Sequence, residues 1–231
     1  MDRLESDAFG YQRLNLASSV SFAEVPKKKF AISVRPIKLV LASSSPRRKE
    51  LLENLGIPFE ISPPDVDECI FPDEKVGFMV RRLSQKKVKS VQGGSNSLIL
   101  SADTAVDLDG NIFGKPRSKR EGLSFLRRLS GRAHKVHTGV SVLLGERIET
   151  FSVVTEVYFG VLTEEVIDWY WSVGESFDKA GAYGIQGAGG LLIDKIVGSH
   201  TNVMGLPIRE TIHCLEGFGF PFFLKNPDKN Y

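Results

Sequence analysis

From residue 37 onward, apolar positions follow two rhythms: short unbroken runs, and helical spacings between them. Leu39-Val40-Leu41-Ala42 and Leu98-Ile99-Leu100-Ser101-Ala102 hardly alternate with polar residues, the pattern of strands covered on both faces. Phe59-Glu60-Ile61 predicts another strand, closed by Pro63-Pro64. Val76, Met79, Val80, Leu83 and Val88 recur at helical spacing and predict a basic amphipathic helix over 75–90. The strand from Leu98 is expected to end by delivering Asp103-Thr104 at its carboxyl end. Asp109-Gly110 then turns a separate hairpin between Val106-Asp107-Leu108 and Ile112-Phe113. A helix is expected over 119–129, then two antiparallel strands over 136–144 and 149–158. Thr163 caps a helix that runs toward Gly174. A strand over 191–196 precedes a last helix opened by Gly205-Leu206-Pro207. No internal repeat is visible. The pattern is that of one mixed α/β unit with two lobes around a cleft.

The start of the first helix breaks a rule. Ser45 is in N-cap position and Pro46 in the first turn, where its missing N–H costs nothing. Arg47 and Arg48 follow, although the partial positive charge of a helix start favours acids there. Glu164-Glu165, after Thr163, shows the ordinary preference. Ser43-Ser44-Ser45, free N–H groups and two guanidinium forks would make a phosphate receptor. A solvated basic turn is the alternative.

Two acids stand out. Asp103 follows an apolar run, and strand ends beside helix starts are where α/β proteins place ligands. Glu68 belongs to the acidic loop 65–73. Such a pair near a triphosphate could hold a divalent cation and activate water, or could be a cap and an exposed loop. Lys115 is in the Gly114-Lys115-Pro116 turn. The segment Asp178-Lys179-Ala180-Gly181-Ala182-Tyr183-Gly184-Ile185-Gln186-Gly187 permits close backbone approach, with Tyr183 and Gln186 available for stacking and hydrogen bonding. It has neither the GxGxxG spacing of a dinucleotide fold nor a P-loop ending. His134 and His137, three apart on a strand, point to opposite faces and make a poor metal pair. No nucleophile elbow is present.

Composition narrows the classes. A hydrophobic share of 42% and a charged share of 25% are those of a soluble globular protein. The net charge of +2 leaves no large basic stripe for nucleic acid. Two cysteines, Cys69 and Cys214, without CxxC, suit a reducing, cytoplasmic setting. Residues 1–36 lack an apolar run for a signal peptide or membrane span and read as a flexible extension. Residues 220–231 read as a C-terminal tail.

Seven motifs occur in the order seen in Maf proteins: Ser43 to Arg48, Ala102-Asp103-Thr104, Gly114-Lys115-Pro116, Leu129-Ser130-Gly131, Thr138-Gly139-Val140, Asp178 to Gly187, and Gly205-Leu206-Pro207. The chain resembles that family over about residues 37–219. The resemblance implies an α/β fold of the inosine-triphosphate-pyrophosphatase type, an elongated mixed sheet with a central cleft, often dimeric. It also implies metal-dependent hydrolysis of nucleoside triphosphates to monophosphate and pyrophosphate, with Mg²⁺ or Mn²⁺ as cofactor. The segment from Asp178 resembles the branch acting on dTTP and UTP. The chain lacks the tryptophan that usually precedes the arginines of the 7-methyl-GTP branch.

By motif position Asp103 matches the catalytic acid, and Arg47, Thr104 and Gln186 match the residues tied to base selectivity. Glu68 and Asp103 would share the metal. Ser43, Ser45, Arg48, Lys87, Lys115 and Lys179 would contact phosphates. The Gln186 carboxamide can both donate and accept, matching the edge of uracil or thymine. A nucleotide sensor of septum formation and a purine (ITP or XTP) pyrophosphatase are the rival readings.

Overall fold

The computed structural model describes residues 37–222. The extension predicted for 1–36 and the tail beyond residue 222 lie outside the described residues. The apolar run at 39–42 lies inside a sheet and is covered on both faces, as its lack of alternation predicts. Leu39 and Leu41 enter one core with Leu52, Leu100 and Leu215, while Val40 and Ala42 enter another with Val88, Val91 and Ile99.

The strands are β1 (Lys38–Leu41), β2 (Phe59–Ile61), β3 (Ser97–Leu108), β4 (Asn111–Phe113), β5 (Ala133–Leu144), β6 (Arg147–Phe159) and β7 (Ile193–Val197). They form one mixed sheet in the order β2-β1-β3-β5-β6-β7, with β4 added to β3. β1 runs parallel to both neighbours and every other pairing is antiparallel. The helices are α1 (Pro46–Glu53), α2 (Val76–Ser90), α3 (Lys119–Leu129), α4 (Glu164–Ser172), α5 (His200–Met204) and α6 (Ile208–Gly217). None among the described residues is long and apolar enough to cross a membrane.

One expectation fails in an instructive way. Residues 97–108 form a single twelve-residue strand, not a buried strand followed by a separate hairpin arm. β5 pairs with it without interruption from Ile99↔Leu143 to Asp107↔Lys135, so Asp103 and Thr104 lie mid-strand. The other edge of β3 is shared. β1 takes residues 97–100 and β4 takes residues 106–108. Between those partners the edge at 101–105 carries no strand, and the chain leaves β1 at that gap to start α1. The cleft opens there.

Gly139 explains how α2 reaches this place. It is the register partner of Asp103, and a Cβ on it would lie 2.3 Å from the Val80 carbonyl oxygen of α2. The missing side chain therefore lets the helix backbone rest directly on the sheet beside Asp103. The 191–196 strand begins two residues later than expected, because Leu191 and Leu192 close a 3-10 turn. The short α5 escaped the sequence pattern, although Ser199 caps it and Gly205, at φ 108°, ends it. Beyond α6 the core continues through Phe220, which is buried with Phe218, Ile212 and Leu215.

Candidate active site

Alternation along β3 sends successive side chains to opposite faces. Asp103 faces α2, and Lys87 of that helix sets Nζ 2.6 Å from Asp103 Oδ1. The same ammonium lies 3.0 Å from Glu68 Oε1, so the two acids separated in sequence meet on one lysine. The Lys87 and Asp103 side chains are 8% and 9% exposed, whereas Glu68 is half exposed. Asp103 Oδ2 takes no hydrogen bond among the described residues. The loop bearing Glu68 is fastened to α2. Arg82 binds Glu74 at 2.6 Å through Nε and Nη2, donates to the Cys69 carbonyl, and stacks on Phe71. Lys86 donates to the Asp67 carbonyl at 2.6 Å.

Thr104 faces the opposite side. Its hydroxyl lies 3.0 Å from that of Thr138 and accepts from Arg48 Nη2 at 3.1 Å. Arg48 also donates from Nε to the Gly205 carbonyl and from Nη1 to Ser43 Oγ. Burial lowers its guanidinium below the ordinary value, with Asp103 opposing the shift. Arg48 lines the cleft and keeps two further N–H donors. With three donors committed to protein oxygens, it braces the 43–45 loop, β3 and the turn after α5. Thr104 takes part in that brace through its hydroxyl and also borders the cleft.

The anomalous start of α1 is present as read. Ser45 is the N-cap residue, but its hydroxyl caps nothing, and no acid stands in the first turn. Ser43 is nearly buried and accepts from the Ser45 N–H at 3.2 Å. Arg47 reaches across the cleft, donating from Nη1 to Asp178 Oδ2 at 2.7 Å and from Nη2 to the Asp178 carbonyl at 3.2 Å. Lys179 donates to Asp178 Oδ1 at 2.8 Å and to the Glu175 carbonyl. Burial opposes the charge on Asp178, but hydrogen bonds from Lys179 and Arg47 outweigh it and hold the carboxyl below its ordinary range. Gly184 makes room for the Lys179 stem, since a Cβ there would fall 2.7 Å from Lys179 Cε.

Gln186 borders the same cleft and donates through Nε2 to Glu50 Oε1 of α1 at 3.4 Å. Tyr183 is not available for stacking on a ligand, contrary to expectation. It is 4% exposed, packs edge-on against Phe159 and His134, and its hydroxyl lies 2.6 Å from His134 Nε2. His137, three residues further along β5, sets Nε2 3.7 Å from Asp107 Oδ2. Burial lowers His134 to about 4 and also lowers His137.

Asp103, Lys87, Glu68, Arg47, Lys179 and Gln186 line one cleft of about 680 Å³, within the range of small-molecule sites. Lys115 borders it, exposed and without an ion pair among the described residues. Arg117, which the sequence reading missed, borders it too; its signal was its place two residues after Lys115 on the same turn. Among the described residues no three acids, histidines or cysteines gather into a self-sufficient metal cage. Two carboxylates with a free oxygen on Asp103 fit a hard cation that completes its shell with substrate oxygens and water.

A family model described as Maf-like protein matches residues 38–218. The chain is 44% identical over 187 residues to a dTTP/UTP pyrophosphatase of Symbiobacterium thermophilum, covering 80% of this chain and 96% of that protein. It is 46% identical over 195 residues to a dTTP/UTP pyrophosphatase of Anaeromyxobacter dehalogenans, covering 82% and 98%. Among solved structures it aligns with the Ham1 protein of Staphylococcus aureus at 13% identity and a TM-score of 0.45, over 78% of this chain and 97% of that one.

Proposed function

The chain belongs to the Maf family, and from that premise we propose that it hydrolyses nucleoside triphosphates, dTTP and UTP by preference, to nucleoside monophosphate and pyrophosphate. The observation that carries this reading is the meeting of Asp103, Lys87 and Glu68 in a cleft whose other walls hold Arg47, Lys115 and Gln186. A triphosphate needs cations and donors along its length, one carboxylate to take a proton from water, and a group at the far end to read the base. The cleft contains each.

In this reading Asp103 Oδ2 takes a proton from the attacking water. The water oxygen bonds to the α-phosphorus while the bond to the α,β-bridging oxygen breaks, and pyrophosphate leaves with that oxygen. Lys87 holds Asp103 in place through Oδ1. Ser45, Lys115 and Arg117 offer donors to the phosphates, and Arg47 and Lys179 join them by exchanging Asp178 for phosphate oxygens. Asp103 and Glu68 would hold Mg²⁺ or Mn²⁺, which neutralises phosphate charge and makes the phosphorus more electrophilic. Free Cys69 and Cys214 support a reducing compartment.

The test is pyrophosphate release from dTTP, UTP, CTP, ATP, GTP, ITP and 7-methyl-GTP, with and without divalent metal. The expected result is metal-dependent release, fastest from dTTP and UTP. Faster turnover of a purine nucleotide would overturn the base assignment, and release of orthophosphate in place of pyrophosphate would overturn the reaction.

A further inference from the structure

Gln186 lines the cleft, whereas the residue that holds its amide does not. That residue is Glu50, exposed on α1 three positions after Arg47 and therefore on the same side of the helix. α1 thus meets the 178–187 segment twice, through Arg47 to Asp178 and through Glu50 to Gln186. The chemistry of the second contact is one-sided. An ionised carboxylate only accepts, so the amide end facing Glu50 at 3.4 Å has to be the NH₂ group. Oε1 is then the end without a protein partner among the described residues.

We infer that Glu50 is a specificity-positioning residue that locks the Gln186 carboxamide with Oε1 toward the base, making Gln186 a committed acceptor. The inference rests on the nucleotide reading given above and narrows it. A free carboxamide could rotate to suit either uracil or cytosine. A locked one set opposite N3 demands a donor at that atom of the base. Uracil and thymine supply it at N3–H, whereas cytosine presents a lone pair at N3 and meets the acceptor with repulsion. Rejection of cytosine then originates one residue away from the base, on α1.

The experiment compares kcat/KM for UTP and CTP in the full chain and in Glu50→Ala and Glu50→Lys. Glu50 is exposed, so neither variant disturbs the core, and a melting curve checks this. Removing the carboxylate frees the amide, and the UTP-to-CTP ratio should fall about fivefold; a lysine donor should turn the amide over, and the ratio should fall about tenfold or more. A general loss of activity with an unchanged ratio is what a merely structural role would give. A ratio within about twofold of the parent in both variants overturns the inference. If the unaltered chain releases pyrophosphate from neither nucleotide, the proposed reaction fails on its own. Calorimetric affinities for non-hydrolysable UTP and CTP analogues then read the same ratio, with the same outcomes deciding the inference.

Discussion

Lys87 and Asp103 form an ion pair 2.6 Å long between a helix and the middle of a strand, with both side chains more than nine-tenths buried. Charges withdrawn from water are costly to hold singly, and the pair survives because each partner offsets the other. Lys87→Met leaves Asp103 without that partner. The expected cost is about 3 kcal/mol, the lower end for an orphaned buried charge, because the cleft admits water to Asp103. Urea denaturation measures it. The double variant Lys87→Met with Asp103→Asn should recover more than half of the loss. An equal loss in both would place the cost in the packing of the lysine stem.

Asp103→Asn alone separates chemistry from folding. Asparagine keeps the size and can still accept from Lys87 at Oδ1, but it cannot take a proton from water. Pyrophosphate release should fall at least ~10²-fold, the usual scale for a general acid–base group. Turnover within a few-fold of the parent would remove Asp103 from the proton transfer.

Much of this arrangement could be read from the chain, and the failures share a cause. β1, α2, the β5–β6 hairpin and the Thr163 cap were legible because periodicity and capping chemistry are local. The single strand β3 was not. Asp103 and Thr104 interrupt its apolar run, and only the uninterrupted β5 partner and the cover of α2 show why the strand continues. Asp103, Glu68 and Lys87 could each be named from the family resemblance, but their meeting depends on α2 lying flat against Gly139. Tyr183 was misread for a related reason. A phenol looks like a ligand contact in a sequence until His134 takes its hydroxyl.

Gly139→Ala tests that seating. The new Cβ would meet the Val80 carbonyl oxygen at 2.3 Å and its carbon at 2.4 Å, and neither is the end of a flexible side chain. α2 has to lift, carrying Lys87 away from Asp103. The expected destabilisation is about 2–3 kcal/mol, typical of overpacking against backbone. Thermal melting and turnover should fall together. A variant as stable as the parent would show that the helix has room to spare.

His134 makes acid stability a second, separable readout. Its ring is buried among Phe159 and Tyr183, and burial lowers it to about 4 from the ordinary 6.5. Between those values the unfolded chain binds a proton that the folded chain refuses, so unfolding is favoured as pH falls. The stability linked to the neutral ring is fully present above about pH 6.5 and is lost as pH drops toward about 4. The gap corresponds to about 3 kcal/mol. His134→Gln can still bond the Tyr183 hydroxyl but does not titrate. Its stability should change less between pH 7 and pH 4 than the parent's, by about that amount. Parallel pH–stability curves for the two proteins would mean that the buried ring is not the group that senses acid.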